Sequence, residues 1–128
     1  MTKTKLICFF TILAVLIAGA VFQHLYLTSL MTDLLKLSED VEDCISNGDT
    51  DSARECADKL YNKFDKEAAT LSALLDHSYI CDVYEQLRLL KSELAFDNSS
   101  EIPACCASLK HALECINHLE TVNLENIF

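Results

Sequence analysis

Turn-forming residues are nearly missing from this chain, which has 2 Gly and 1 Pro in 128 residues. Sandwiches, barrels and α/β folds need such residues at many corners, so their scarcity argues against all three. What remains is a Leu- and Ala-rich sequence suited to a few long helices with short connections. Tryptophan is absent. No acidic residue precedes Asp33, and Lys3 and Lys5 are the only charges before it. C-x-x-C, H-E-x-x-H, a Gly-rich loop and a nucleophile elbow are all missing, and with them the usual marks of metal binding, phosphate binding and acyl transfer.

The charge that is present is one-sided. All 20 acidic residues lie at or after Asp33 together with eight of the ten basic ones, so this part of the chain carries −12. Such a surface repels phosphate backbones and anionic headgroups, and no nucleic acid is expected among its partners. The first part is apolar instead. Leu6 to Phe22 contains no charge, and as a helix it spans ~26 Å, close to the hydrocarbon thickness of a bilayer. Gln23 and His24 interrupt the run before Leu25, Tyr26 and Leu27 resume it. Residues 6–27 are therefore read as a transmembrane anchor. Lys3 and Lys5 precede it and no cation follows until Lys36, which places residues 1–5 in the cytoplasm and the remainder outside. The rival reading is a cleaved signal peptide ending near Ala18-Gly19-Ala20. The apolar pattern continues without a break through Val21, Leu25, Leu27, Leu30 and Leu34, which favours an uncleaved anchor. Cys8 lies near the start of the run, so lipidation after it is not supported.

Beyond the anchor, four apolar stripes recur at helical spacing. The first is Leu27, Leu30, Leu34, Leu37, Val41 and Cys44, ending at the turn signal Asn47-Gly48-Asp49. The second is Ala53, Ala57, Leu60, Phe64, Ala68, Leu71 and Leu75. The third, Ile80, Val83, Leu87, Leu90 and Leu94, is out of phase with the second by about a third of a circle. That mismatch places a break at Asp76-His77-Ser78, with Asp76 or Ser78 as N-cap. Asp97-Asn98-Ser99-Ser100 reads as a loop before the fourth stripe, Ile102, Cys106, Leu109, Leu113 and Ile116. The expected fold is all-α: an N-terminal transmembrane helix continuing into an antiparallel three- or four-helix bundle. The bundle occupies residues 28–122, with helices near 28–46, 50–75, 79–96 and 101–119, and a short tail over 123–128 docks on it.

Six of the seven cysteines lie beyond the anchor. Cys44 and Cys56 flank the Asn47-Gly48-Asp49 turn, and an antiparallel hairpin brings them within a turn of each other. Folding about Ser99 sets Cys81 close to Cys115. Cys44–Cys56 and Cys81–Cys115 are thus the candidate disulfides, against the alternative of small unpaired thiols. The same fold allows His77, Cys81, Cys115 and His118 to converge as a Cys₂His₂ zinc set. Helical phase opposes this, because His111 and His118 lie nearly opposite the stripe through Leu109 and Ile116, and Cys81 is far round from Val83 and Leu87. No metal or other cofactor is expected. Asp76 and His77 can be written as an acid–base pair, but they read more simply as a cap and a polar junction residue. No catalytic residue is assigned and the protein is not expected to be an enzyme.

Several short motifs occur in a fixed order: Asn47-Gly48-Asp49 with Ser52-Ala53, then Leu74-Leu75-Asp76-His77-Ser78, then Leu124-Glu125-Asn126-Ile127-Phe128. With the apolar helix ahead of them, they resemble the domain-of-unknown-function 4363 family, small bacterial proteins found largely in spore-forming Firmicutes. The resemblance covers nearly the whole chain. It implies an anchor, a helical ectodomain and a bacterial cell membrane. It marks Asp76, His77 and Asn126 as positions of family interest and implies no particular activity. The chain departs from the family pattern in having no Trp after the Asn-Gly-Asp turn or before the Leu-Leu-Asp-His run, and in its number of cysteines. The functional expectation is a non-enzymatic interaction or accessory module whose partners are the lipid bilayer and another membrane protein or a second copy. The alternative is an extracytoplasmic thiol or metal sensor using His77, Cys81 and Cys115.

Overall fold

The computed structural model describes residues 2–96 and 100–127, with side chains to His118. It contains four α-helices: α1 (Thr2–Ser46), α2 (Thr50–Leu74), α3 (His77–Ala95) and α4 (Ile102–Ile127). Neighbours α1–α2, α2–α3, α3–α4 and α1–α4 pack in a closed ring. The result is an up-down-up-down four-helix bundle.

Helix α1 is 45 residues long and has no break between its apolar start and its end in the bundle. Every described residue from Thr2 to Phe22 is exposed. Burial then begins abruptly at Leu27. Among the described residues, α1 is the one helix long and apolar enough to cross a membrane, and its most apolar stretch is unburied.

Termination of α1 follows from its last residues. Gly48 adopts φ 75°, a left-handed conformation costly for a residue with a Cβ. The Gly48 amide donates to the Ile45 carbonyl at 3.1 Å, and the Asp49 amide to the Cys44 carbonyl at 2.9 Å. This pair of bonds is a Schellman motif, and it satisfies carbonyls that the helix end would otherwise leave bare. Asp49 then caps α2, accepting from the Ser52 amide at 3.1 Å and the Ser52 hydroxyl at 2.7 Å. These bonds hold its carboxyl below the usual Asp range.

The core repeats at alternating steps of three and four. Buried positions are Leu27, Met31, Leu34, Ser38 and Val41 on α1, and Ala53, Ala57, Leu60, Phe64 and Leu71 on α2. On α3 they are Ile80, Val83, Leu87, Leu90 and Leu94, and on α4 Ile102, Cys106, Leu109, Leu113 and Ile116. This is a heptad pattern, which keeps one seam of each helix facing its neighbours along the bundle. On α1 it buries Ser38 fully and leaves Leu37 only half-buried. The Ser38 hydroxyl has no hydrogen-bond partner. Ion pairs cross the seams at the surface: Lys63–Asp33 at 3.2 Å, Lys91–Asp58 at 3.3 Å and Lys110–Glu39 at 3.8 Å. Being exposed, they add little stability.

The α2–α3 break falls at Leu75-Asp76, with Asp76 in the N-cap position of α3. No side-chain cap bond forms there; the Asp76 carbonyl instead accepts from the Tyr79 amide at 3.2 Å. One expectation is corrected. Residues 123–127 are not a separate tail but the end of α4, which runs on to Ile127. Nothing between Pro103 and the end of the chain interrupts the i→i−4 ladder, since no Gly or Pro occurs there. The expected docking of that segment falls outside the described side chains, and most of the loop over 97–100 lies outside the described residues.

Candidate functional site at the end bearing the apolar segment

The α2–α3 turn and the end of α4 lie at one end of the bundle, and the Asn47-Gly48-Asp49 turn lies at the other. Tyr26, just above the apolar segment of α1, donates a short hydrogen bond to Glu67 near the end of α2. The α2–α3 turn with Asp76 and His77 therefore lies at the end from which the apolar half of α1 projects. Helix α4 returns to the same end. Tyr79 and Cys115 line one groove, so α4 continues about ten residues, or ~15 Å, past the start of α3. Asn126 stands in this last stretch, with its side chain outside the described residues.

Two grooves open here. One lies between α3 and α4, holds about 560 Å³, and is lined by Tyr79, Asp82, Gln86, Ser108, His111 and Cys115, among others. The second, about 410 Å³, joins exposed apolar residues Phe22 and Leu25 to Tyr26, Asp33, Lys63 and Glu67. Its walls change from hydrocarbon to charge along α1, as the edge of a bilayer does.

The histidines and cysteines form two separate contacts within helices. His77 Nε2 lies 3.2 Å from Cys81 Sγ on α3, and His111 Nε2 lies 3.7 Å from Cys115 Sγ on α4. The α4-facing flank of α3 carries Tyr79, Asp82 and Gln86. Its α2-facing flank carries Tyr84, which donates to Asp65 at 2.7 Å and packs edge-on against Phe64. Cys81, three residues before Tyr84, is turned outward beyond that second flank and is exposed. The structure thus sets Cys81 and Cys115 at matching heights on different faces, and does not bring them together. His118 is exposed. Among the described residues no three His, Cys, Asp or Glu side chains form a metal-holding group. The set His77, Cys81, Cys115 and His118 is not assembled, because it needs α3 rotated about its axis.

The remaining thiols differ sharply in surroundings. Cys105 and Cys106, on the first turns of α4, are buried. Burial first, then the Glu42 charge and Cys105, push the Cys106 thiol up to about 11, so it stays protonated and packs as a small apolar group. At the far end, Cys44 on α1 and Cys56 on α2 are half-buried against the same core. Their side chains interact across the seam, and burial followed by the Cys56 neighbour raises the Cys44 thiol. All seven cysteines are free thiols in this structure. Sequence spacing alone had no means of finding Tyr26–Glu67, because neither residue belongs to a motif.

An apolar helix carried into an acidic four-helix bundle, with the α2–α3 turn at the end from which that helix projects, defines a class of small helical proteins with one membrane-like segment. The family model "Domain of unknown function (DUF4363)" matches residues 21–127, and the chain belongs to that family. No curated protein and no solved structure matches it.

Proposed function

We propose that this protein is a membrane-tethered helical interaction module, held by α1 with its N-terminus in the cytoplasm and its bundle outside. The observation that carries this reading is the continuity of α1. The same helix is fully exposed and apolar through Phe22 and buried from Leu27. An exposed apolar surface of that length is tolerated in lipid and not in water. The two lysines before the segment and the lack of a cation after it until Lys36 support this orientation. No protein chemistry need occur on the bundle for this role; its acidic surface and membrane-facing grooves offer contacts to another membrane protein or to a second copy, and not to nucleic acid. The test is mild-detergent extraction of the full chain, followed by mass measurement of the particle and identification of co-purifying membrane proteins. Self-association or a reproducible membrane partner supports the module. A strictly monomeric particle without a partner counts against it. A thiol-sensing role draws on the His77–Cys81 contact instead, and predicts that His77→Ala changes the rate at which Cys81 reacts with an alkylating reagent.

A further inference from the structure

The hairpin at the end of the bundle away from the membrane carries two thiols from different helices on one seam. Cys44 sits three residues before Asn47, and its carbonyl accepts the Asp49 amide that closes α1. Cys56 lies on the second turn of α2, which Asp49 caps through Ser52. Asp49 thus closes α1 through its amide and caps α2 through its carboxylate, and both cysteine side chains rest half-buried against the bundle core. No other two described cysteines share this arrangement. Cys105 and Cys106 are adjacent on one helix and buried, Cys81 points outward, and Cys115 pairs with His111.

We infer that Cys44 and Cys56 are a disulfide-forming pair, a redox staple that locks the α1–α2 hairpin. The oxidant is a small-molecule or protein disulfide. The thiolate of one cysteine attacks a sulfur of that disulfide, releasing one thiol and leaving a mixed disulfide. The second thiolate then attacks the protein sulfur, releasing the other half as a thiol. Two protein S–H bonds are lost, one S–S bond forms, and the oxidant gains the two electrons and two protons. Only the expectation that the staple is closed in cells rests on the extracytoplasmic placement.

The full chain in detergent micelles is incubated with glutathione disulfide, quenched with acid, alkylated and digested with trypsin. Cleavage at Lys36, Arg54 and Lys59 places Cys44 in peptide 37–54 and Cys56 in peptide 55–59. The expected result is these two peptides joined as the dominant cross-link, reverting on reduction. Cys56→Ser abolishes the cross-link and leaves Cys44 as a stable glutathione adduct. Stable glutathione adducts on both Cys44 and Cys56 of the unsubstituted protein, or a different dominant pairing, overturn the proposal. The same digest on acid-quenched cells separates the two claims. Reduced thiols there, with cross-linking in micelles, refute the outside placement and leave the pair intact.

Discussion

The two halves of α1 are the same helix written for two solvents. From Thr2 to Phe22 no side chain is buried, and the apolar residues occupy every face. From Leu27 onward burial alternates in steps of three and four, with charges between. Both halves contain Leu, but the first has no charge from Leu6 to Phe22 and the second sets its apolar residues on a stripe between charges. A helix in hydrocarbon needs apolar atoms all round, whereas one in a bundle needs them on a stripe.

This contrast is broken most severely by a charge placed in each half. Leu34→Asp puts an unpaired carboxylate where exposure is 0%. It should cost about 4–5 kcal/mol and unfold or melt the bundle early by circular dichroism. Ile12→Arg, in the exposed half, should leave the bundle's melting unchanged in detergent. It opposes membrane insertion by about 3 kcal/mol at mid-span, read as the protein fraction released by alkaline extraction. Equal effects of the two substitutions on bundle melting would remove the division of α1 proposed here.

A pH titration tests the upper half at finer scale. Tyr84 is pushed up to about 12 by burial, then by its bond to Asp65 and that carboxylate's charge. A phenol raised in the folded state stabilises it below the unfolded value near 10, and this contribution is lost as pH rises toward about 12. Denaturant midpoints should therefore fall through that window, and Tyr84→Phe should flatten the fall. Asp49 works in the opposite sense. Its carboxyl is lowered in the fold, so its contribution is present above the ordinary Asp value of about 3.9 and disappears as pH falls through the lowered folded value. Asp49→Ala should lower the melting temperature at neutral pH and have no effect in strong acid. The smallest change expected is Ser38→Ala. Removing a buried hydroxyl that has no partner should be neutral or raise stability by up to about 1 kcal/mol.

Much of this fold was legible in the chain because its signals are local. The phase jump between Leu75 and Ile80 located the α2–α3 break, and Asn47-Gly48-Asp49 located the first turn. Ser38 was misread for a physical reason. The heptad needs a small residue there as the helices close, while a reading by hydropathy prefers Leu37 beside it. The end of α4 was placed too early because the apolar stripe weakens after His118, yet a fading stripe is not a stop signal. At the candidate site, heights along the bundle followed from sequence and rotations did not. Helical spacing gave no means of fixing the rotation of α3 about its axis, which leaves Cys81 exposed while Tyr84 packs against α2.

The unbroken backbone through residues 22–27 turns the bundle into a lever arm. With no hinge between the apolar segment and the bundle, any tilt of the proposed membrane span would be carried upward. The twenty residues from Leu27 to Ser46 reach ~30 Å, so a tilt of about 20° would shift the far tip sideways by roughly 10 Å. A thinner membrane, which tilts long spans more, would thus displace the hairpin bearing Cys44 and Cys56 without altering a single contact inside the bundle.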